Sequence, residues 1–258
     1  MTNLFFDDYR IVSRDNVIRE QGCPTLIPES IMFPKENECA VFSDVAVVYN
    51  PAKDIYTMYG MRYRNENDNW KIYCIAYTSH DLIHWEPRNT AEEAHIRGFD
   101  SELVYENQFV SRYYNSGIVT VLRDDYDDSM QRYKAIALKD NCYGSVEDLL
   151  LTSPDGINWE EQRGVYCHPR GAEGLGSAFW SEVENSWILA LRPYHGERRV
   201  CIIKTKDFKE FSEPSLAIWA DALDDPLSEI YGLKAFSYKG WYIGFLHVFH
   251  TLNQNHWM

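Results

Sequence analysis

The heptapeptide SPDGINW, Ser153 to Trp159, follows the apolar run LLLTS and precedes WEEQ. An Asp-Gly pair between two strand-like runs is the signal of a tight hairpin turn. The pattern occurs three times, as YTSHDLIHWEP (77–87), LTSPDGINWEE (151–161) and KTKDFKEFSEP (204–214). Each copy places Ser or Thr two residues before Asp and an aromatic residue four residues after it. Asp81 therefore goes with Trp85, Asp155 with Trp159 and Asp207 with Phe211. In such a turn the carboxylate and the hydroxyl accept backbone N–H groups, while the ring caps the next strand against a neighbouring layer. The three aspartates read as structural, not catalytic.

Two more strand-like runs lie upstream of each copy. They are DVAVVYN (44–50) with IYTMYGMR (55–62), GIVTVLRD (117–124) with RYKAIAL (132–138), and GSAFWSE (176–182) with SWILALR (186–192). A fourth pair follows, IYGLKAFS (230–237) and WYIGFLHVFH (241–250). Each unit reads as a four-stranded antiparallel sheet. One such sheet cannot bury both faces alone, so repeats of it stack radially as propeller blades. The expectation is an all-β chain, residues 1–258, forming a single β-propeller domain with about three and a half blades. Its parts are an N-terminal segment (1–42), blade one (43–90), an insertion (91–116), blade two (117–170), blade three (171–220) and an incomplete blade four (221–258). The motif aspartates are 74 and then 52 residues apart, and the insertion accounts for the longer gap. A period near ~50–55 residues exceeds that of WD40 repeats, and no WD dipeptide or kelch Gly-Gly pair accompanies the motifs. The sialidase Asp box is also a partial fit, because it separates Asp from Gly by one residue where Asp155 and Gly156 are adjacent.

Composition narrows the partners. A net charge of −14 repels phosphate backbones and anionic lipid, which argues against nucleic acid and membrane surfaces. No apolar run is long enough to span a bilayer. Asp7 and Asp8 interrupt the apolar core that a signal peptide needs, so a cytoplasmic location is expected. The six cysteines show no CxxC or CxxH spacing, which disfavours a metal site, and no cofactor motif is present. The run Asp124-Asp125-Tyr126-Asp127-Asp128 lacks the Gly and Glu of a calcium loop and reads as a solvated turn between two strands.

Taken together, LFFDDYRIV (4–12), AYTSHDLIHWEP, QRYKAIAL, LTSPDGINWEE, TKDFKEFSEP and EIYGLKAFSYKGWYIGFLHVFH resemble the five-bladed propeller glycoside hydrolases of the family 43 and family 32 superfamily. The resemblance is greatest to family 32-like bacterial proteins. It implies five blades, so that a further strand and DxxxW-type unit and then a fifth blade are expected after residue 258. An open propeller would expose unpaired edges and faces and would favour self-association.

The resemblance also implies where the chemistry sits. Glycoside hydrolysis needs two carboxylates flanking one bond, and in a propeller the innermost strands line the central channel. Asp44, opening DVAVVYN, matches the relatives' first aspartate. Glu173 in RGAEGLGSAFW matches their general acid. The strand GIVTVLRD opens after Asn115 and Ser116 with no carboxylate, and Asp100 in RGFDSELVYEN is the candidate substitute. Glu229 in SEIYG, with Arg97, Arg192 and His195, is a candidate for substrate binding through hydrogen bonds to sugar hydroxyls or a carboxylate. Each has a plain structural alternative, a turn or strand-edge role. Arg198 and Arg199 read as cover for a solvated strand end, and Trp180 and Trp241 as core. The functional expectation is a glycoside hydrolase with a carbohydrate ligand. The alternatives are a carbohydrate-binding propeller without catalysis and, less in keeping with the blade period, a protein-interaction propeller.

Overall fold

A computed structural model describes residues 38–66, 69–88, 96–97, 108–109, 118–127, 131–140, 146–162, 176–193 and 198–250, with scattered positions between 13 and 30. The described residues are all β apart from one short 3-10 turn, Pro28–Ser30. In the first sheet β1 (Glu38–Asn50), β2 (Ile55–Glu66), β3 (Asn69–Ser79) and β4 (Glu86–Pro87) are successive antiparallel neighbours. The stretch read as an insertion contributes two short strands, β5 (Ile96–Arg97) and β6 (Gln108–Phe109), and β6 extends the first sheet beside β3. The second sheet runs β7 (Ile118–Arg123), β8 (Tyr133–Asp140), β9 (Val146–Ser153), β10 (Trp159–Glu161), with β5 lying parallel on its outer edge. The insertion thus adds edge strands to both flanking sheets. The third sheet is β11 (Ser177–Ser181), β12 (Ser186–Leu191), β13 (Val200–Thr205) and β14 (Ser215–Ile218). A hairpin of β15 (Ser228–Tyr238) and β16 (Trp241–His250) comes last. The first strands of successive sheets, β1, β7, β11 and β15, neighbour one another in turn. That is the arrangement of blades in a partial propeller.

The apolar runs explain the stacking. Along a strand, alternate residues face opposite sides, so a strand buried on both sides must be apolar at every position. In β7, Val121 joins the core shared with the first sheet while Leu122 joins the core shared with the third. The same alternation sends Ala135 and Ala137 of β8 one way and Ile136 the other, and divides Leu151 from Leu150 in β9. Ala190 of β12 and Val200 of β13 pack on Ile230 of β15. At the β15–β16 hairpin the alternation is left uncovered, and Phe245, Leu246 and Val248 of β16 are exposed.

The three motif turns join the third and fourth strands of their sheets and share one geometry. The hydroxyl of Ser79, Ser153 or Thr205 accepts N–H bonds from the residues two and three positions on, at 2.9–3.4 Å. One oxygen of Asp81, Asp155 or Asp207 accepts the next two N–H groups at 2.8–3.2 Å. The residue after each aspartate, Leu82, Gly156 or Phe208, then has a positive φ of 64°, 76° or 57°. This is the left-handed conformation that costs a residue with a side chain about 1–2 kcal/mol.

The packing of the residues beyond each turn depends on the sheet in front of it. Trp159 is buried against the first sheet, edge-on to Tyr59 with ring centroids 6.1 Å apart. Tyr59 donates its hydroxyl to the Gly156 carbonyl at 3.0 Å. Burial pushes the pKa of that hydroxyl up, which keeps it a donor. Phe208 and Phe211 pack the same way onto the second sheet. Leu82, in the first sheet, has no preceding sheet among the described residues and is 46% exposed.

Gly156 and Leu82 should therefore respond oppositely to substitution. A Cβ on Gly156 would clash with the oxygen of buried Tyr59. Gly156→Ala should destabilise the fold by at least ~2 kcal/mol, combining left-handed strain with displacement of Tyr59. Leu82→Gly should be neutral or stabilising by up to about 1 kcal/mol, since it relieves the same strain at an exposed site. Urea unfolding midpoints of the two variants and the parent test this, and equal losses at both positions would contradict it.

Candidate functional site

The candidate site is defined by the innermost strands, and three of those four strands are irregular. In β1 the register passes from Ser43 opposite Met61 to Ala46 opposite Tyr59, three steps against two. The extra residue falls at Asp44–Val45. In β7 it falls between Ile118 and Thr120, and in β15 between Ile230 and Gly232. A bulge bends its strand and re-aims the side chains around it, and bulges are over-represented beside active sites.

Asp44 thus lies in a bulged stretch midway along the innermost strand of the first sheet and does not open it, because β1 begins at Glu38. Arg97 lies in β5, its backbone paired with Glu160 of β10. The side chains of Asp44 and Arg97 fall outside the described residues, as do Glu173, Asp100 and His195 altogether. Glu229 and Arg192 are described, and each makes its contacts where the third sheet meets β15, Arg192 with Tyr231 and Glu229 with Arg198. Arg192 is only 4% exposed. Its Nη1 donates to the Tyr231 carbonyl at 3.0 Å, and its guanidinium lies 4.3 Å from the centre of the Tyr231 ring. Tyr231 is the extra residue of the β15 bulge, so its carbonyl lies outside the regular ladder, and Arg192 supplies it with a donor.

Glu229 is held differently. Its Oε2 accepts from Nη1 of Arg198 at 2.6 Å, with the two side chains 22% and 14% exposed. The Arg198 guanidinium also lies 4.9 Å from the Phe249 ring centre and 5.5 Å from that of Tyr231. The backbone completes the junction, Ile230 N–H donating to the Arg198 carbonyl at 3.0 Å. The reading of Arg198 as cover for a solvated strand end is thereby corrected. Its signal is weak in the sequence, because the partner lies 31 positions away on another sheet and no local spacing connects them.

The acidic turn after β7 needs a similar correction. Asp125 and Tyr126 are exposed as expected, but Asp124 is buried. Lys134 of β8 is buried with it, its Nζ 3.1 Å from Asp124, 2.9 Å from Asp127 and 3.0 Å from the Gln131 carbonyl. Two carboxylates and a carbonyl compensate the desolvated ammonium. The lysine within the run RYKAIAL is the readable hint, since an otherwise apolar buried strand tolerates a lysine only with such partners. Trp180 is half-buried, packed edge-on to Trp187 at 5.7 Å and beside Tyr126 at 4.9 Å.

The motif aspartates are engaged as structural acceptors. Burial opposes ionisation of Asp155, but N–H bonds from Asn158 and Ile157 and the Ser153 hydroxyl outweigh it and lower its pKa. Asp207 is lowered by the N–H groups of Lys209 and Glu210. Asp81 is held well below the usual carboxylate range, first by the His84 ring 2.6 Å from its Oδ2 and then by the backbone. That carboxylate in turn raises the His84 pKa. In the second copy of the turn an amide takes the same place, Asn158 Nδ2 donating to Asp155 at 2.8 Å.

No family model matches the sequence, and no curated protein matches it. Among solved structures the chain is similar to a variant fructofuranosidase from Schwanniomyces occidentalis complexed with fructosylnystose. The TM-score is 0.52 at 17% identity, over 79% of this chain and 40% of that one. It is also similar to an N-acetylgalactosamine deacetylase from F. plautii in complex with blood group B trisaccharide. There the TM-score is again 0.52 at 17% identity, over 81% of this chain and 61% of the other. The chain spans less than two thirds of either structure, and the likeness is one of fold.

The Asp81–His84 pair gives a pH-dependent stability with a definite sign. His84 has a raised folded pKa, so its contribution is full below about pH 6.5 and fades as pH rises through the raised value. Asp81 has a depressed folded pKa, so its contribution is present above about pH 4 and is lost only as pH falls through the folded value. His84→Asn, which copies Asn158, should show its largest deficit in melting temperature between these limits. The gap to the parent should narrow at higher pH. Melting curves across pH 4–9 for both proteins test the pair, and a constant gap would refute it.

Proposed function

We propose that this chain is a carbohydrate-active propeller that binds an oligo- or polysaccharide at the bulged stretches of its innermost strands. We propose further that it hydrolyses glycosidic bonds there, with Asp44 and Glu173 as the paired carboxylates. The observation that carries this reading is the bulge at Asp44, together with those in β7 and β15. Bulges in channel-lining strands set side chains out of the regular alternation, as a binding site on a sheet scaffold requires. The fold likeness to two proteins solved with oligosaccharides supports the ligand class. Likeness of fold does not extend to the reaction, so hydrolysis rests on the carboxylates. In that reaction one carboxylic acid protonates the leaving oxygen while the other carboxylate attacks the sugar or activates water.

A second reading keeps the ligand and drops the chemistry. It is favoured by the start of β7, where Asn115, Ser116 and Gly117 precede Ile118 and offer no carboxylate. Turnover and binding of a panel of neutral and acidic oligosaccharides, including fructosylnystose and blood group B trisaccharide, separate the two. The hydrolase reading expects Asp44→Asn and Glu173→Gln each to lower turnover by at least ~100-fold, the range for loss of a positioned acid or base. Turnover indifferent to both substitutions would remove the assignment. Binding without turnover would establish the second reading.

A further inference from the structure

The junction between the third sheet and β15 has a property that its structural duties do not account for. Glu229 has two carboxylate oxygens and its interactions involve only one. Oε2 takes the short bond from Arg198, and among the described residues Oε1 has no hydrogen-bond partner. Glu229 stands directly opposite Phe249 in the β15–β16 register, so the two side chains share one face of the hairpin. Phe249 is 40% exposed. A partly open carboxylate beside a partly open ring, one residue before a bulge in an innermost strand, is the combination that recognises a sugar. The ring takes the apolar C–H face, and the carboxylate oxygen takes a hydroxyl.

We propose that Glu229 and Phe249 form a saccharide subsite at the seam of the third sheet and β15, and that Arg198 is its positioning residue. This rests on the carbohydrate-active reading above. Arg198 restricts the carboxylate from two directions. Its guanidinium binds Oε2, and its stacking on Phe249 and Tyr231 limits its own movement. Oε1 is left as the acceptor. The ligand class follows from charge. The guanidinium is already committed to Glu229, and the open oxygen bears negative charge in a chain of net charge −14. The paired guanidinium offers an acidic sugar no free partner, and the open carboxylate oxygen repels a uronate, a sialic acid or a sugar phosphate, so the subsite takes an uncharged sugar. Arg192 holds the adjoining Tyr231 bulge through its carbonyl and its ring.

The test is a binding titration of the same oligosaccharide panel against the parent, Glu229→Gln, Phe249→Ala, Arg198→Met, Arg198→Lys and the Arg198→Met/Glu229→Gln pair. Melting temperatures serve as folding controls. The parent should bind neutral members, and Glu229→Gln and Arg198→Met should each weaken that binding by ~10-fold or more, the loss typical of a hydrogen bond to a charged group. The double variant should be no weaker than the worse single, because the two residues act as one unit. Arg198→Lys, which keeps the charge but loses the stacked guanidinium, should recover only part of the affinity. A residue serving stability alone would lower the melting temperature without this coupling in affinity. Full affinity in folded Glu229→Gln and Phe249→Ala would overturn the subsite and leave the carbohydrate reading standing. Preference for acidic members, tightened by Glu229→Gln, would overturn it as well. A parent that binds no member of the panel would overturn the carbohydrate reading, and the subsite with it.

Discussion

Two backbone N–H groups held by one aspartate oxygen set the form of this molecule. In the turn after β9 that oxygen belongs to Asp155, and the Ser153 hydroxyl takes the two N–H groups before them. With four consecutive donors satisfied inside seven residues, the chain needs no outside partner to reverse direction. The reversal forces the next residue into a left-handed conformation and delivers the aromatic residue three positions later onto the sheet in front. Gly156 and Trp159 meet Tyr59, and Phe208 and Phe211 meet the second sheet. In the second and third sheets the turn thus sets an aromatic residue on the preceding sheet.

The same constraint governs burial. The second and third sheets have a neighbour on each side, and their middle strands are apolar at consecutive positions. Among the described residues the first sheet and the β15–β16 hairpin each have a neighbour on one side, which explains why Leu82 and Phe245 are exposed while Trp159 and Leu189 are not. Two buried cations within this layering have oxygen partners of their own. Lys134 has three oxygen partners, and Arg192 answers a carbonyl that the β15 bulge takes out of the ladder. Regular ladders supply rigidity, and the bulges in β1, β7 and β15 supply the irregularity from which a binding site can be made.

The strands and the motif turns are legible in the sequence because their causes are local. Alternation, apolar runs and the Ser/Thr-x-Asp spacing act within seven or eight residues, and the resulting turns use almost nothing from elsewhere in the chain. The position of Asp44 on an innermost strand is legible for the same reason. Its bulge is not, since register is a relation between β1 and β2 and depends on which residues of β2 lie opposite. Arg198 misleads because its carboxylate partner and its aromatic neighbours come from β15 and β16. Asp124 reads as solvated, yet its burial comes from Lys134 and from the packing of the second sheet against the third.

The amino-acid sequence by itself determined the repeating four-stranded unit and its turn chemistry, because both arise from interactions between residues close along the chain. Tertiary structure alone decided which motif aromatics are buried, where the innermost strands bulge, and that Arg198 fixes Glu229 through one of its two oxygens. Those outcomes depend on surfaces brought together from distant segments. Whether a charged or aromatic side chain supports the fold or faces a ligand is decided by what packs beside it.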